Sequence, residues 1–361
     1  SRDEQMASFD AFVYASGHLV QPLKGFWQDN ASALNTSFMY RADPRVAWVS
    51  DYLPVNSALR AAFLHLATPA LVNPLLAVVG LLALASCVRR IWPDDNEVLA
   101  LAAIFYCTSG QVIITAMTSY AMTGHLALNL LWLALLLRND RLSDVGVVVV
   151  GFLATGLHQP LPHPLFAAPL LLWTTSQNRA RGISLLAAYC AIGLFWLWWP
   201  THVGPLMQPP ATELPPTTGF GFASRLQFLY ATRDSLGGLD MLANILRFCA
   251  WQPVLLVPLA MIGIPAVGRQ GLAAALAGGI VLTLFAMLVI LPYQGHGFGY
   301  RYLHGFLGNI ILLAAYGWKS LEPALPEWRS MLRRTSLGTV CVLLPLQAWF
   351  AHAFYAPYAE M

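Results

Sequence analysis

Residues 73–88 read NPLLAVVGLLALASCV, carry no charge, and end at Arg89-Arg90. With the four residues before it, this run reaches the ~20 apolar residues that a helix needs to cross the hydrocarbon core of a bilayer. The stretch GLAAALAGGIVLTLFAMLVILP (271–292) repeats the pattern. A cytosolic helix of this length would carry a charged face, and neither segment has one.

The rest of the chain agrees. Of its 361 residues, 57% are hydrophobic and 10% charged, and its mean hydropathy is +0.59. Soluble domains carry about a quarter charged residues. The fold class expected is therefore all-α, a polytopic membrane protein. Apolar runs predict about ten transmembrane helices, at 69–88, 98–117, 120–137, 145–159, 164–177, 183–199, 252–268, 271–291, 303–318 and 335–352. HQPLPHP (158–164) interrupts 145–177, which predicts a hairpin turning early in the membrane.

Basic residues stay on the cytoplasmic side of short loops. Arg89-Arg90, Arg138 with Arg141, Arg179 with Arg181, Arg269, and Lys319 through Arg334 mark five such connections. The alternate connections are poorer in Lys and Arg, and rich in His, Pro, Tyr and Gly. They share the outer face, and alternation places 1–68 there as well. The organisation expected is a first outer, periplasmic loop (1–68), transmembrane helices (69–199), a second outer loop (200–251), and further transmembrane helices with the C-terminus (252–361). Apolar residues spaced by three and four in both outer loops predict amphipathic helices lying on the membrane surface. Trp196, Trp198, Trp199 and Trp251 read as an interfacial aromatic belt.

A net charge of +3 is too weak to suggest a nucleic-acid partner, and the five cysteines stand singly with no metal spacing. No HExxH or comparable pattern occurs. The sequons at Asn30 and Asn35 are chance-level matches.

Chemistry-bearing residues collect on the expected outer face. Asp3 and Glu4 are adjacent carboxylates, read either as a base meeting a lipid substrate or as a solvated charge pair. Asp43 and Asp51 follow in the same loop, and Asp51 is either a second site carboxylate or a helix cap. His125, His158, His163, His296 and His304 fall at outer helix ends or in outer loops. In YQGHGFGYRYLHGFLGN (293–309), Gly295, Gly297 and Gly299 permit turns, and Tyr300, Arg301, Tyr302 and His304 supply donors. Arg301 can clamp a phosphate, or pair with a carboxylate such as Asp3 or Asp51.

Three stretches together carry a family resemblance: Arg2-Asp3-Glu4, SDYLPVNSALRAAFLHLATPALVNPLLAVVGLLALASCVRRIW (50–92) and GFGYRYLHGFLG (297–308). In these the chain resembles bacterial membrane glycosyltransferases of the GT-C class, nearest the protein O-mannosyltransferase and aminoarabinose-transferase-like branch. The likeness runs through most of the chain in order, by short motifs. It implies an enzyme of the bacterial inner membrane, with a transmembrane helix ahead of the acidic pair. Its active face would be periplasmic, and its partners a polyprenyl-phosphate-linked sugar donor and membrane lipid. Asp3 or Glu4 would be the catalytic base. Arg301, with Tyr300 and His304, would hold the leaving phosphate, and Asp51 and His125 would line the donor or acceptor pocket. Whether a divalent metal cofactor takes part is left open. The alternative is a non-catalytic membrane subunit or a transporter of similar architecture. A transporter places ionisable groups at mid-membrane, whereas the predicted helix centres here are nearly free of charge.

Overall fold

A computed structural model of the chain describes residues 2–31, 38–40, 45–207, 230–231, 237–292, 299–321 and 326–359. Asp43, the Asn35 sequon, Gly295, His296 and Gly297 lie outside the described residues.

Helix α1 (Arg2–Ala15) carries Asp3 and Glu4 in its first turn. Strand β1 (Gln21–Pro22), the one-turn helix α2 (Phe26–Asp29) and strand β2 (Ala47–Trp48) follow, and the two strands pair antiparallel. Helix α3 (Val55–Leu66) then packs against α1. Asp10 ties α1 to the returning chain: its buried carboxylate accepts hydrogen bonds from the Ser50 backbone N–H, at 3.1 Å, and from the Ser50 hydroxyl. Burial pushes the Asp10 carboxyl up to about 6, against the opposing pull of those two bonds.

The bundle follows. It comprises α4 (Val72–Ile91), α5 (Asn96–Thr108), α6 (Gly110–Ala116), α7 (Met122–Leu136), α8 (Arg141–Thr155), α9 (Pro162–Gln177) and α10 (Arg179–Val203). After these come α11 (Gly237–Ala250), α12 (Leu256–Ile262), α13 (Gly271–Ile290), the short α14 (Arg301–His304), α15 (Leu307–Leu321) and α16 (Pro326–Ala359). Helices α7 and α15 form the centre: every residue of α15 from Leu307 to Trp318 is buried. α7 packs on α4 and α8, α9 on α13, and α12 on α15. The last contact is close because Gly317 and Gly263 face each other's helices: a Cβ on either would overlap a backbone carbonyl, of Leu259 or Leu313.

Each of the ten apolar intervals read from the sequence contains a helix, but few are long enough to cross a bilayer alone. Among the described residues, three helical stretches are long and apolar enough: Pro69–Ile91, Arg179–Met207 and Gly271–Ile290. A fourth crossing arises if α5 and α6 count as one span, bent by 56°. The 15-residue α7 extends only about 22 Å, short of a ~30 Å hydrocarbon core. The expectation of ten full spans is reduced accordingly. Ser109 caps α6 and ends α5, and the prolines of 160–164 hold α8 and α9 apart, so apolar runs become helices shorter than their hydropathy suggests.

One further reading changes. Trp196 is buried, with its indole N–H donating to the Phe152 carbonyl at 2.9 Å, so it belongs to the core; Trp198 is exposed. In the second loop, α11 buries Met241, Asn244 and Phe248 while Leu239, Leu242 and Leu246 stay exposed on another face.

Candidate functional site

The ends of the bundle differ in how most of their helices begin, the exception being α13, which starts beside Arg269 at Gln270 with no side-chain cap. At the end carrying Arg89, Arg138 and Lys319, α5, α8 and α10 start on the side-chain caps Asp95, Asp140 and Asn178. At the opposite end α7 and α9 start at Ala121 and Leu161 with no side-chain cap. The positive ends of their dipoles lie at that end, where α7 offers first-turn N–H groups and α9, which begins Pro162-His163-Pro164, offers few. α3 also lacks a side-chain cap, but its entry is tied by backbone: Leu53, Val55 and Asn56 donate to the carbonyls of His158, Gly156 and Leu157.

A cavity of about 320 Å³ opens at this uncapped end, lined by α1, α3, the starts of α7 and α9, and the 301–306 turn. Asp3 and Arg301 stand at its wall, 298 residues apart in sequence and paired Oδ2 to Nη1 at 3.0 Å. The other Asp3 oxygen accepts the Tyr52 hydroxyl at 2.6 Å. Arg301 also donates to the Tyr302 hydroxyl at 3.1 Å, with its guanidinium 5.0 Å from that ring's centroid. The Tyr52 ring lies against His158 at 3.9 Å between centroids, and both line the cavity. The remaining walls mix apolar groups such as Leu53, Met122 and Phe306 with neutral polar ones. That mixture is the usual lining of a small-molecule site.

Of the residues expected at a site, Asp3, His125 and Arg301 line the cavity. Glu4, in the same helical turn as Asp3, does not: its carboxylate accepts the Ser119 N–H at 3.1 Å and so secures the chain just before α7. Asp51 is held by its backbone, donating to the Phe38 carbonyl at 2.8 Å, and lies outside the lining. α3 is capped at Pro54 rather than by Asp51. Tyr300 and His304 are fully buried behind Arg301; His304 Nε2 meets the Thr115 hydroxyl at 3.2 Å. They support the turn and do not touch the cavity.

Three polar networks that the sequence did not disclose position these groups. Ser109, at the break between α5 and α6, donates to Gln252 Oε1 at 2.8 Å; Gln252 donates to Gln111 Oε1 at 3.0 Å; Gln111 donates to the Tyr300 carbonyl at 2.9 Å. This chain fixes the backbone beside Arg301. Gly299 sits at φ +63°, and a Cβ there would press on Gln111, so the turn requires glycine. Asn73 is the second hub, donating to the carbonyls of Thr115, Thr118 and Tyr120 while accepting from buried Arg60 at 2.9 Å. Burial lowers the Arg60 guanidinium to about 10, and the Glu4 carboxylate works against that shift. The third network runs beneath the cavity. Asn129 donates to the Gly305 carbonyl at 2.9 Å, so its oxygen faces His163 Nδ1 at 2.7 Å, while His163 Nε2 meets the Tyr189 hydroxyl at 2.6 Å. A neutral His163 protonated on Nδ1 satisfies every member. An isolated Gln or Asn within an apolar run, as in CTSGQVIITA (107–116) or GHLALNLLWL (124–133), was the available signal, since such a group in lipid needs a partner.

Among the described residues no group of three or more His, Cys, Asp or Glu is arranged to hold a metal ion. No known protein family, curated protein or solved structure matches the chain. Fold and site therefore define its class: a helical membrane protein with a half-enclosed cavity, walled by one ion pair, at one end of its bundle.

Proposed function

We propose that the chain is a membrane glycosyltransferase of the GT-C type, with about ten membrane-embedded helices, that moves a sugar from a polyprenyl-phosphate donor to an acceptor on the periplasmic face of a bacterial inner membrane. The observation that carries this reading is the Asp3–Arg301 pair at the wall of a cavity into which α7 and α9 direct uncapped N-termini. One carboxylate, one guanidinium, the N-terminal N–H groups of α7 and the positive end of the proline-led α9 offer a base beside an anion site.

In this mechanism the donor phosphate draws the Arg301 guanidinium, and Asp3 Oδ2 is released to accept a proton. The acceptor hydroxyl gives that proton to Asp3 as its oxygen attacks the anomeric carbon. The bond from that carbon to the phosphate oxygen breaks, and its electron pair leaves with the lipid phosphate. Arg301 and the helix N-termini stabilise the charge that develops there. Glu4 acts as a positioning residue through Ser119.

The transporter alternative draws on the broken α5–α6 helix. The polar groups at that break are used internally, from Ser109 through Gln252 and Gln111 to the Tyr300 carbonyl, and this favours the enzyme. The test is sugar release from polyprenyl-phosphate donors by wild type, Asp3→Asn, Glu4→Gln and Arg301→Ala. Turnover by wild type and its loss in the Asp3 and Arg301 variants is expected. No turnover of any donor, or equal turnover by all four proteins, sinks the proposal.

A further inference from the structure

We infer that His125 and Asn56 form a subsite for an uncharged, polyhydroxylated group, so that the cavity selects a neutral sugar over an acidic or an amino sugar. This rests on the lipid-linked-sugar reading above and names the sugar class within it.

The argument begins with unmet hydrogen bonds. His125 lines the cavity from the first turn of α7 and is 7% exposed, and neither ring nitrogen has a partner. Asn56 lines the cavity from α3 and is 4% exposed. Its amide N–H donates to the Ser119 carbonyl at 3.2 Å, and its Oδ1, a buried acceptor, has no partner. A buried polar group without a partner costs roughly 1–3 kcal/mol. Two such residues lining one cavity mark a place where a ligand supplies what the protein withholds.

The unmet set specifies the ligand. A neutral imidazole presents one N–H donor and one acceptor nitrogen, and Asn56 adds a second acceptor. A hydroxyl both donates and accepts, so neighbouring hydroxyls answer all three. At the ring position that meets these atoms a carboxylate cannot donate to Asn56 or to the acceptor nitrogen, and an ammonium cannot accept from the imidazole N–H. The charged residues of the lining are Asp3 and Arg301; in the proposed mechanism the donor phosphate takes Arg301 and the acceptor hydroxyl takes Asp3, so neither is left to reward an ionic group on the sugar. The three atoms are closed to water, so a small side-chain rotation accompanies binding.

The test uses the whole chain in lipid nanodiscs and four probes: citronellyl phosphate, and its esters with glucose, glucuronic acid and 4-amino-4-deoxyarabinose. The glucose ester should bind about tenfold more tightly than citronellyl phosphate and than either charged ester, the worth of one or two added hydrogen bonds. His125→Ala and Asn56→Ser should each remove most of that gain while citronellyl phosphate still binds, which also reports that the variants fold. If citronellyl phosphate binds as well as its glucose ester, if the charged esters bind equally, or if both variants keep the preference, the subsite is overturned and the lipid-phosphate reading stands. If none of the four binds, the lipid-phosphate reading fails and takes this inference with it.

Discussion

The two ends of the bundle solve the same problem in opposite ways. At the basic end, charges sit near water and are paired: Arg138 with Asp140, Arg181 with Asp144, and, across 224 and 236 positions, Lys319 with Asp95 and Arg333 with Glu97. The helices that begin there with caps draw them from adjacent Asp or Asn side chains. At the cavity end one ion pair spans nearly the whole chain, two helices begin uncapped, and several buried polar atoms have no partner. The basic end is mostly satisfied from within the chain, whereas Asn56 and His125 at the cavity keep unmet hydrogen-bonding capacity. Stability accounts for the first arrangement, and the second is what the ligand site proposed above requires.

Substitutions can break or sharpen that contrast. The largest effect is expected at the cavity, where Asp3→Asn should lower donor turnover by at least about 100-fold, the range for a lost general base. Glu4→Gln, one residue away but outside the lining, should lose much less. Single-turnover assays of the two variants check this.

Next in size is a pH effect at Asp10. Its carboxyl is raised from 3.8 to about 6, so the folded state holds the proton more tightly than the unfolded chain does. The stability it contributes is full below pH ~4 and is lost as pH rises through ~6, in all about 3 kcal/mol. Thermal unfolding between pH 4 and 7 should show wild type weakening relative to Asp10→Asn, whose stability should stay flat across that window.

At the basic end the effects are smaller and belong to packing and capping. Gly317→Leu, forced against the Leu259 carbonyl, should cost about 2 kcal/mol in denaturant unfolding. Asn178→Ala removes the cap on α10, whose Oδ1 accepts the Arg181 N–H at 3.2 Å, and should cost about 1 kcal/mol. Arg333→Gln, breaking an exposed pair with Glu97, should change stability by less than about 1 kcal/mol in the same assay.

The helical class and the apolar intervals were legible because hydropathy and charge placement report on the bilayer directly; of the seven residues expected at a site, Asp3, His125 and Arg301 line the cavity and Glu4, Asp51, Tyr300 and His304 do not. Span lengths were not legible, since a single Ser109 or Pro162 divides an apolar run without changing its composition. The pairing of β1 with β2 carries no periodic signal in two-residue strands. The supporting networks were hidden for another reason. Gln111 meets Gln252, 141 positions away, and Asn129 meets Gly305, 176 away, so only the folded chain reveals what each serves. The same distance hid the division of labour within Asp3-Glu4: adjacent on one helix, they face a cavity and a backbone amide respectively.

The most direct test exchanges the two charges of the cavity pair. In the double variant Asp3→Arg with Arg301→Asp an ion pair of reversed polarity is available, with the Tyr52 and Tyr302 hydroxyls re-paired, while the base and the anion-binding cation have changed places. The account predicts that this variant unfolds near the wild-type temperature and yet releases no sugar from a polyprenyl-phosphate donor that wild type consumes. Recovery of wild-type turnover together with wild-type stability would contradict it, because the pair would then serve the fold alone.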